Sequence, residues 1–236
     1  MKYLKNRLTP ALVILLLSAA PCLAESTPDP NKAVQALMQH RPQNNPAPLR
    51  ALETLVSKSY NNPKYCAQLE QAMIALLKSN ATPYAKHCIC KQLVKIGSAA
   101  CVPVLADLLL DPSAGESACY ALRSNTSPQA SEALRAALSK AKQPALSQII
   151  LAIGHRKDSS AIPYLIKLLK SEDEKVVRAS MNALGHMADP RAAEALKRMK
   201  GGKYRIAATN GLLHCAQSLA RANQRSLAVK LYRECI

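Results

Sequence analysis

The chain has 236 residues and a formal net charge of +17, with 32 Lys and Arg against 15 Asp and Glu. It contains no Trp, no Phe and only seven Gly, while Ala and Leu are abundant. A β-sandwich normally needs more β-branched and aromatic residues, so the composition argues against that class. It predicts an all-α protein whose helices pack closely through small side chains.

Residues 1–24 have the pattern of a secretory signal peptide. Lys2, Lys5 and Arg7 precede a ten-residue apolar run that ends at Ala20, and a small-residue cleavage site follows at Ala24. The run is shorter than the roughly 20 residues that span a membrane. We therefore expect export to the periplasm or the cell exterior. Loss of the three leader cations lowers the net charge from +17 to +14, and no transmembrane segment is expected afterwards.

The segment that follows the apolar run is expected to be neither anchored nor folded. Pro21, which precedes Cys22, is not the small residue that lipoprotein processing prefers, so lipid anchoring is not expected. Residues 25–45 are rich in Pro and Asn and contain one short candidate helix, from Asp29 to Gln39. We interpret residues 25–45 as a flexible linker.

Seven cysteines remain after the leader, and in an exported chain an odd number requires at least one free or intermolecular thiol. The densest group is His87-Cys88-Ile89-Cys90. Cys88 and Cys90 point about 200° apart on a helix, and no second Cys/His pair follows at zinc-finger spacing. We expect these thiols to be buried or to form a disulfide, with Cys66 as a partner for Cys88 or Cys90. We predict no metal site and no cofactor.

A short sequence motif recurs along the chain at nearly regular intervals. It is LGHMADPRAAEAL at 184–196 and, in a similar form, IGHRKDSSAIPYL at 153–165. The glycine of the motif has equivalent positions farther upstream and downstream. Successive equivalents are separated by roughly 30 residues, a period typical of stacked-repeat proteins. The equivalent residues are Gly97, Arg123, Gly154, Gly185 and His214.

Each period divides into two helices. Ser171 and Glu174 form a capping box for the first helix, and Gly185 is expected to close it as the residue beyond its C-terminus. Asp189 is expected to cap the second helix, with Pro190 at the first helical position. A single pair of such short helices does not fold alone. The pattern therefore predicts an α-solenoid of stacked helix pairs at residues 46–213.

Three stretches resemble HEAT-like repeats of the short bacterial type first known from phycobilisome lyases. They are DPSAGESACYALRS at 111–124, IPYLIKLLKSEDEKVV at 162–177 and EDEKVVRASMNALGHMADPRAAEALKRM at 172–199. The resemblance runs from about Ala81 to Leu213. Val177-Arg178-Ala179 and the Gly-x-x-x-Asp turn match best, whereas the repeat around Arg123 lacks both the Gly and the Asp. The resemblance implies a curved right-handed superhelix whose second helices line the concave face and bind other molecules. It does not imply phycobilin lyase activity.

The histidines of the repeat turns allow two interpretations. His155 and His186 occupy equivalent positions, and His214 lies at or beside the same position in the next repeat. Asp158 and Asp189, three residues after the first two, are explained as helix caps. Equivalent positions of stacked repeats are roughly 10 Å apart, too far for one metal ion with ligands about 2 Å away. The histidines are either exposed loop residues or contacts for one extended ligand.

Residues 214–236 resemble a tetratricopeptide-like helical hairpin. The helical pattern continues to Ile236 without the polar cap that terminal repeats normally carry. We expect either a truncated chain or a repeat module of a larger envelope protein or enzyme.

The sequence indicates binding rather than catalysis. It contains no G-x-S-x-G, no phosphate-binding loop and no H-E-x-x-H, so we predict a non-enzyme without catalytic residues. The basic charge fits an interaction scaffold for other proteins, a binder of acidic envelope polymers, or simple solvation of the outer helix faces. Nucleic acid is not expected, because the best stacking residues are absent and the chain is exported. The candidate binding residues, on the concave helices, are Lys86, Lys91, Lys95, Arg178, His186 and Arg205.

Overall fold

A computed structural model describes residues 28–235, which contain thirteen α-helices and no strand. The predicted signal peptide at 1–24 and the final residue lie outside the described residues. Within residues 28–235, no helix has the length and the apolar character of a bilayer span. The helices are α1 (Pro30–Gln35), α2 (Ala47–Ser59), α3 (Pro63–Leu77), α4 (Pro83–Ile96), α5 (Val102–Leu108), α6 (Gly115–Ser124), α7 (Pro128–Ala137), α8 (Ala145–Arg156), α9 (Ile162–Leu168), α10 (Glu174–Gly185), α11 (Pro190–Arg198), α12 (Arg205–Arg221) and α13 (Arg225–Cys235).

Alternate helices form two layers. In the first, which we name the even layer, α2, α4, α6, α8, α10 and α12 pack side by side, each on the next. The odd-numbered helices form the odd layer, and each packs on its neighbours in the even layer. Short 3₁₀ turns precede α5, α9 and α12. This arrangement confirms the prediction of an all-α solenoid.

The core between the layers consists of aliphatic side chains with alanines between them. Val177, Met181 and Leu184 of α10 are buried, and Ala193 and Leu196 of α11 are buried in the same cluster. Burying a side chain such as Val, Leu or Met contributes roughly 1.5–3 kcal/mol. Since the buried residues of successive repeats form one continuous cluster, each repeat depends on its neighbours.

Aspartates begin the helices after the repeat turns, as predicted. The carboxylate of Asp189 accepts a hydrogen bond of 2.8 Å from the backbone N–H of Arg191, and Pro190 occupies the first turn of α11. Hydrogen bonds from Arg191 hold the pKa of Asp189 below its ordinary value. Asp158 accepts a similar bond from the backbone N–H of Ser160 and begins the 3₁₀ turn before α9.

The predicted capping box at Ser171 was wrong. The N-cap of α10 is Asp173, whose carboxylate accepts a 2.8 Å hydrogen bond from the backbone N–H of Lys175. Ser171 instead accepts a bond from the N–H of Asp173. Glu174 lies within the helix and forms an ion pair of 2.6 Å with Arg178, so it does not reach back to the cap. Asp and Ser are both good N-cap residues, so the sequence alone did not decide between Ser171 and Asp173 as the start of this helix.

The prediction that Gly185 lies beyond the helix was also wrong. Gly154 and Gly185 are inside the last turns of α8 and α10. The left-handed residue that ends α8 is Lys157, with φ of 55°, whereas His186 after α10 has φ of −77°. These glycines are therefore not needed for a backbone turn.

Two boundaries of the predicted organisation differ from the structure. Residues 28–45 are not a flexible linker, because Val34 and Leu37 are fully buried and α1 packs on α3. The backbone N–H of Thr82 also donates a 3.0 Å hydrogen bond to the carbonyl of Met38. At the other end, α12 runs unbroken through Leu213, so the terminal hairpin of α12 and α13 begins before residue 214. In the first place a composition rich in Pro and Asn concealed a short apolar stripe.

The cysteines among the described residues, from Cys66 to Cys235, are all free thiols. The predicted disulfide between Cys66 and Cys88 or Cys90 is not formed, and the alternative of burial holds for most of them. Burial raises the pKa of Cys90, Cys101 and Cys119 to about 12 and that of Cys215 to about 11. These side chains act as small core residues.

We expect the buried thiols to resist alkylation. At pH 8 only about one thiol in 10,000 is ionised when its pKa is near 12, and only the thiolate reacts. Iodoacetamide should label the half-buried Cys66 first and leave Cys101 and Cys119 unlabelled until urea is added. Peptide mass mapping measures each site. Labelling of Cys101 as fast as Cys66 in the native protein would contradict the burial described above.

Candidate functional site

The even-layer helices α8, α10 and α12 touch through their backbones. A Cβ atom on Gly154 would lie 2.6 Å from the Cα of Ala183, and one on Gly185 would lie 2.8 Å from the carbonyl oxygen of Gly211. Atoms cannot approach so closely without displacement of a helix. The repeated glycine therefore permits close contact between successive repeats.

The odd layer is open between its helices. A groove of about 780 Å³ lies between α7 and α9, and one of about 540 Å³ lies between α9 and α11. A stack whose helices touch on one side and separate on the other curves toward the side of contact. We infer that the even layer lies on the inside of the curve. The concave face is therefore lined by the helices that come first in each period of the sequence, such as α10, and not, as expected, by the second helices, such as α11. We name its exposed surface the even face, which includes Tyr84, His87, Lys91, Tyr120, Arg123, Leu151, His155, Arg178, Ile206 and His214.

A cluster of polar and aromatic side chains joins α4 and α6 on the even face. Nδ1 of His87 lies 2.8 Å from Oγ of Ser117, and the two form a hydrogen bond. The ring of Tyr84 stacks on His87 with centroids 6.3 Å apart. Tyr120 is 43% exposed, and the guanidinium carbon of Arg123 lies 4.6 Å from its ring centroid. This distance is within the range of a cation–π interaction.

A cavity of about 290 Å³ lies between α4 and α6 beside this cluster. Its wall offers a cation, a carboxylate, a hydroxyl and an imidazole, together with the exposed tyrosine ring. The volume is at the lower limit for small-molecule sites, which usually span about 300–1,000 Å³. The cavity therefore suits one or two side chains of a partner. Its lining residues are His87, Cys90, Lys91, Glu116, Ser117 and Tyr120.

The His87–Ser117 pair lacks the surroundings of a catalytic dyad. A nucleophilic serine needs a base whose second ring nitrogen is held by another group, together with donors for the developing oxyanion. In the described part of the chain, only Nδ1 of His87 has a hydrogen-bond partner. The pair can donate and accept hydrogen bonds to a bound group.

The three predicted lysines of α4 face different surroundings. Lys91 lines the cavity. Lys95 is exposed and donates a 3.1 Å hydrogen bond to the side-chain carbonyl of Gln92. Lys86 lies near Asp111, where hydrogen bonds from Ser113 and, to a smaller extent, the charge of Lys86 hold the pKa of the carboxyl below its ordinary value. Only Lys91 belongs to the α4–α6 cluster.

Arg178, His186 and Arg205 lie at the other end of the even layer. Arg178 is paired with Glu174, and its guanidinium carbon is 5.9 Å from the ring centroid of Tyr204. Arg205 is exposed at the start of α12. The six predicted residues thus fall into two groups on one layer, one at α4 and one at α10–α12, and the structure does not bring them together in a single site.

The expected spacing of roughly 10 Å between the histidines of successive repeats was wrong for His186 and His214. The ring centroids of His186 and His214 are 5.6 Å apart, with an interplanar angle of 34°. The close contact of α10 and α12 at Gly185 and Gly211 accounts for the shorter distance. Among residues 28–235, no group of three or more His, Cys, Asp and Glu is arranged to hold a metal ion.

The aromatic members of the site were missed from the sequence. Tyr84, Tyr120 and Tyr204 were not among the predicted residues, nor was Ser117. One signal could have found Tyr120: it stands three residues before Arg123 on a predicted helix, a spacing that places both on one face. Tyr84 and Ser117 meet only because α4 and α6 stack, which a local pattern does not show.

The two helical layers define the class of this protein, an α-solenoid built from repeats. Residues 131–212 match the family of HEAT repeats. Residues 131–212 are thus similar to HEAT repeats, in agreement with the resemblance seen in the sequence. A comparison with curated proteins gives no match.

Solved structures to which the chain is similar include two designed armadillo repeat proteins and one human protein. A computationally designed armadillo repeat protein for modular peptide recognition is 17% identical, with a TM-score of 0.47, and the alignment covers 80% of this chain and 98% of the other. A designed armadillo repeat protein in complex with the peptide (KR)4 is 18% identical, with a TM-score of 0.48 and coverages of 78% and 98%. Human deoxyhypusine hydroxylase in complex with glycerol is 15% identical, with a TM-score of 0.37 and coverages of 88% and 97%.

Proposed function

We propose that this protein is an exported, non-catalytic binding module that holds other proteins on its even face. The α4–α6 cluster supports the proposal most directly, because an exposed tyrosine, a cationic rim and a small cavity with several polar lining groups occur together there. Tyrosine and arginine are the residues that most often dominate binding energy at interfaces. The pattern of residues 1–24 supports export.

The partner that fits this surface is an acidic segment of another envelope protein. Lys91 and Arg123 supply positive charge at the α4–α6 cluster, and Lys203 and Arg205 supply it near α12. Tyr120 and Tyr204 each lie beside a cation at one of these places. A partner that spans both would contact the whole row of even-numbered helices, including the predicted residues Lys86, Lys95, Arg178 and His186.

The alternative proposal is that the chain binds acidic envelope polymers through charge alone. It is supported by the excess of 32 Lys and Arg over 15 Asp and Glu. Such binding does not require the tyrosines and weakens steeply with added salt, because released counterions drive it.

A bait experiment with matched variants tests the proposal. The chain from residue 25 is used to capture proteins from an envelope extract, in wild-type form and with Lys91→Ser plus Tyr120→Ser. The control carries Lys167→Ser plus Tyr164→Ser, which removes the same side chains from α9 in the odd layer, where Tyr164 is 55% exposed.

We expect the even-face variant to retain at least tenfold less of the captured partner, because it loses the exposed aromatic ring and the cation that lines the cavity. The odd-layer control should retain as much as the wild type. Equal losses in the two variants would show that binding follows net charge and would contradict the proposal.

A further inference from the structure

His186 and His214 bring two imidazoles together between neighbouring repeats. His186 directly follows α10 and is half-buried, while His214 lies on the exposed side of α12. Their ring centroids are 5.6 Å apart. The backbone contact between Gly185 and Gly211 fixes the distance between the two helices. The pairing is therefore a product of the folded stack and does not exist in either repeat alone.

This separation suits two imidazoles that share one transition-metal ion. An imidazole nitrogen binds Zn²⁺ at about 2.0–2.1 Å, so the ion lies roughly 3.2 Å from the ring centroid. Two rings on one tetrahedral or slightly wider site then have centroids roughly 5–5.5 Å apart. The observed 5.6 Å is close to that range, so the spacing of the two rings is compatible with a shared ion.

The charges around the pair favour the neutral, metal-binding form of His186. Burial, and then the nearby His214, His155 and Lys157, lower its pKa below the ordinary value of 6.5. The neutral imidazole is the form that binds metals. Imidazole ligands suit Zn²⁺, Ni²⁺ and Cu²⁺.

We propose that His186 and His214 form a two-histidine site for a divalent transition-metal ion such as Zn²⁺ or Ni²⁺, with water in the remaining positions. The ion would link α10 to α12 and so tie two successive repeats together. Because the two histidines meet only in the folded chain, binding would also stabilise that part of the stack. This site lies at α10–α12, away from the α4–α6 cluster on which the proposed function mainly rests, although His186 also belongs to the wider partner surface.

Isothermal titration with NiCl₂ in metal-free buffer at pH 7.5 tests the site on the full chain. His186→Gln and His214→Gln each remove one ligand. The matched control is His87→Gln, which removes a half-buried even-layer histidine that pairs with Ser117. We expect one ion per wild-type chain and a loss of affinity of more than about tenfold in either ligand variant. The His87→Gln control should bind Ni²⁺ like the wild type. Ni²⁺ should raise the melting temperature of the wild type and of this control, but not that of the two ligand variants.

Two results would overturn the site. One is the absence of any binding to the wild-type chain. The other is an affinity that stays within about twofold in both ligand variants, which would place the ion elsewhere, for example on a half-buried thiol. His214 is exposed, so His214→Gln does not disturb the core. The comparison of this variant with the wild type therefore decides the question even if His186→Gln loosens the fold.

Discussion

Replacement of Arg156 by alanine is expected to lower the free energy of unfolding by about 3 kcal/mol. The half-buried guanidinium donates 2.9 Å hydrogen bonds to the carbonyls of Leu122 and Ser127 and also bonds the carbonyl of Asn125. Its Nε donates to the hydroxyl of Ser131 at 2.9 Å. These acceptors lie at the end of α6 and the start of α7. Without the arginine, the buried carbonyl groups among them lose their hydrogen-bond donor. Urea unfolding followed by circular dichroism measures the loss.

Two further variants separate the hydrogen bonds of Arg156 from its charge. Arg156→Lys keeps the charge but cannot bond several carbonyls in a fixed fork, so it should recover less than half of the stability. Arg205→Ala removes an equal charge from an exposed position and should change the stability by less than about 0.5 kcal/mol. If Arg156→Ala lowers the free energy of unfolding no more than Arg205→Ala does, the guanidinium does not hold α8 to α6 and α7 through these hydrogen bonds.

Replacement of Gly154 by alanine is expected to lower the free energy of unfolding by about 2 kcal/mol, because it overpacks a close helix contact. The new methyl group would lie 2.6 Å from the Cα and 2.8 Å from the Cβ of Ala183, so α8 and α10 must separate. Overpacking of this kind costs roughly 1–3 kcal/mol, which exceeds the gain of up to about 1 kcal/mol from helix propensity. Thermal unfolding should begin at a lower temperature, because contact between neighbouring repeats carries much of the stability of a solenoid.

The control for this prediction is Gly201→Ala. A Cβ atom on Gly201 would have no neighbour within 4 Å, and the φ of this residue is −85°, so alanine should be tolerated there. The double variant Gly154→Ala with Ala183→Gly should recover part of the lost stability, since it removes the methyl group that faces the new one. Gly154→Ala with wild-type stability would contradict the close contact of the even layer.

Local chemistry allowed much of the fold to be predicted from the sequence. Asp189 followed by Pro190 specifies a helix start through side-chain and backbone geometry alone, and the structure confirms it. The apolar stripe of α10 likewise appears in the spacing of Val177, Met181 and Leu184. Regular repetition of these signals along the chain was enough to predict stacked helix pairs, because short helices need neighbours to bury their apolar faces.

Features that depend on contacts between repeats could not be predicted in this way. A glycine near the end of a helix fits a C-terminal cap and a close helix contact equally well, so the role of Gly185 was misassigned. The pairing of His87 with Ser117 joins residues 30 positions apart, and that of His186 with His214 joins two helices. Their distances follow from the packing of the even layer, which sequence spacing alone does not fix.

The proposed partner surface is tested most directly by raising the salt during the bait experiment. At 0.5 M NaCl the Debye length is only about 4 Å, so binding by exposed charges alone is largely lost. The wild-type chain and the Lys167→Ser plus Tyr164→Ser control should retain a specific partner from 0.15 to 0.5 M NaCl, and the Lys91→Ser plus Tyr120→Ser variant should release it. Release of all captured material from the wild-type chain below 0.5 M would contradict a packed interface on the even face and favour binding of acidic polymers by charge.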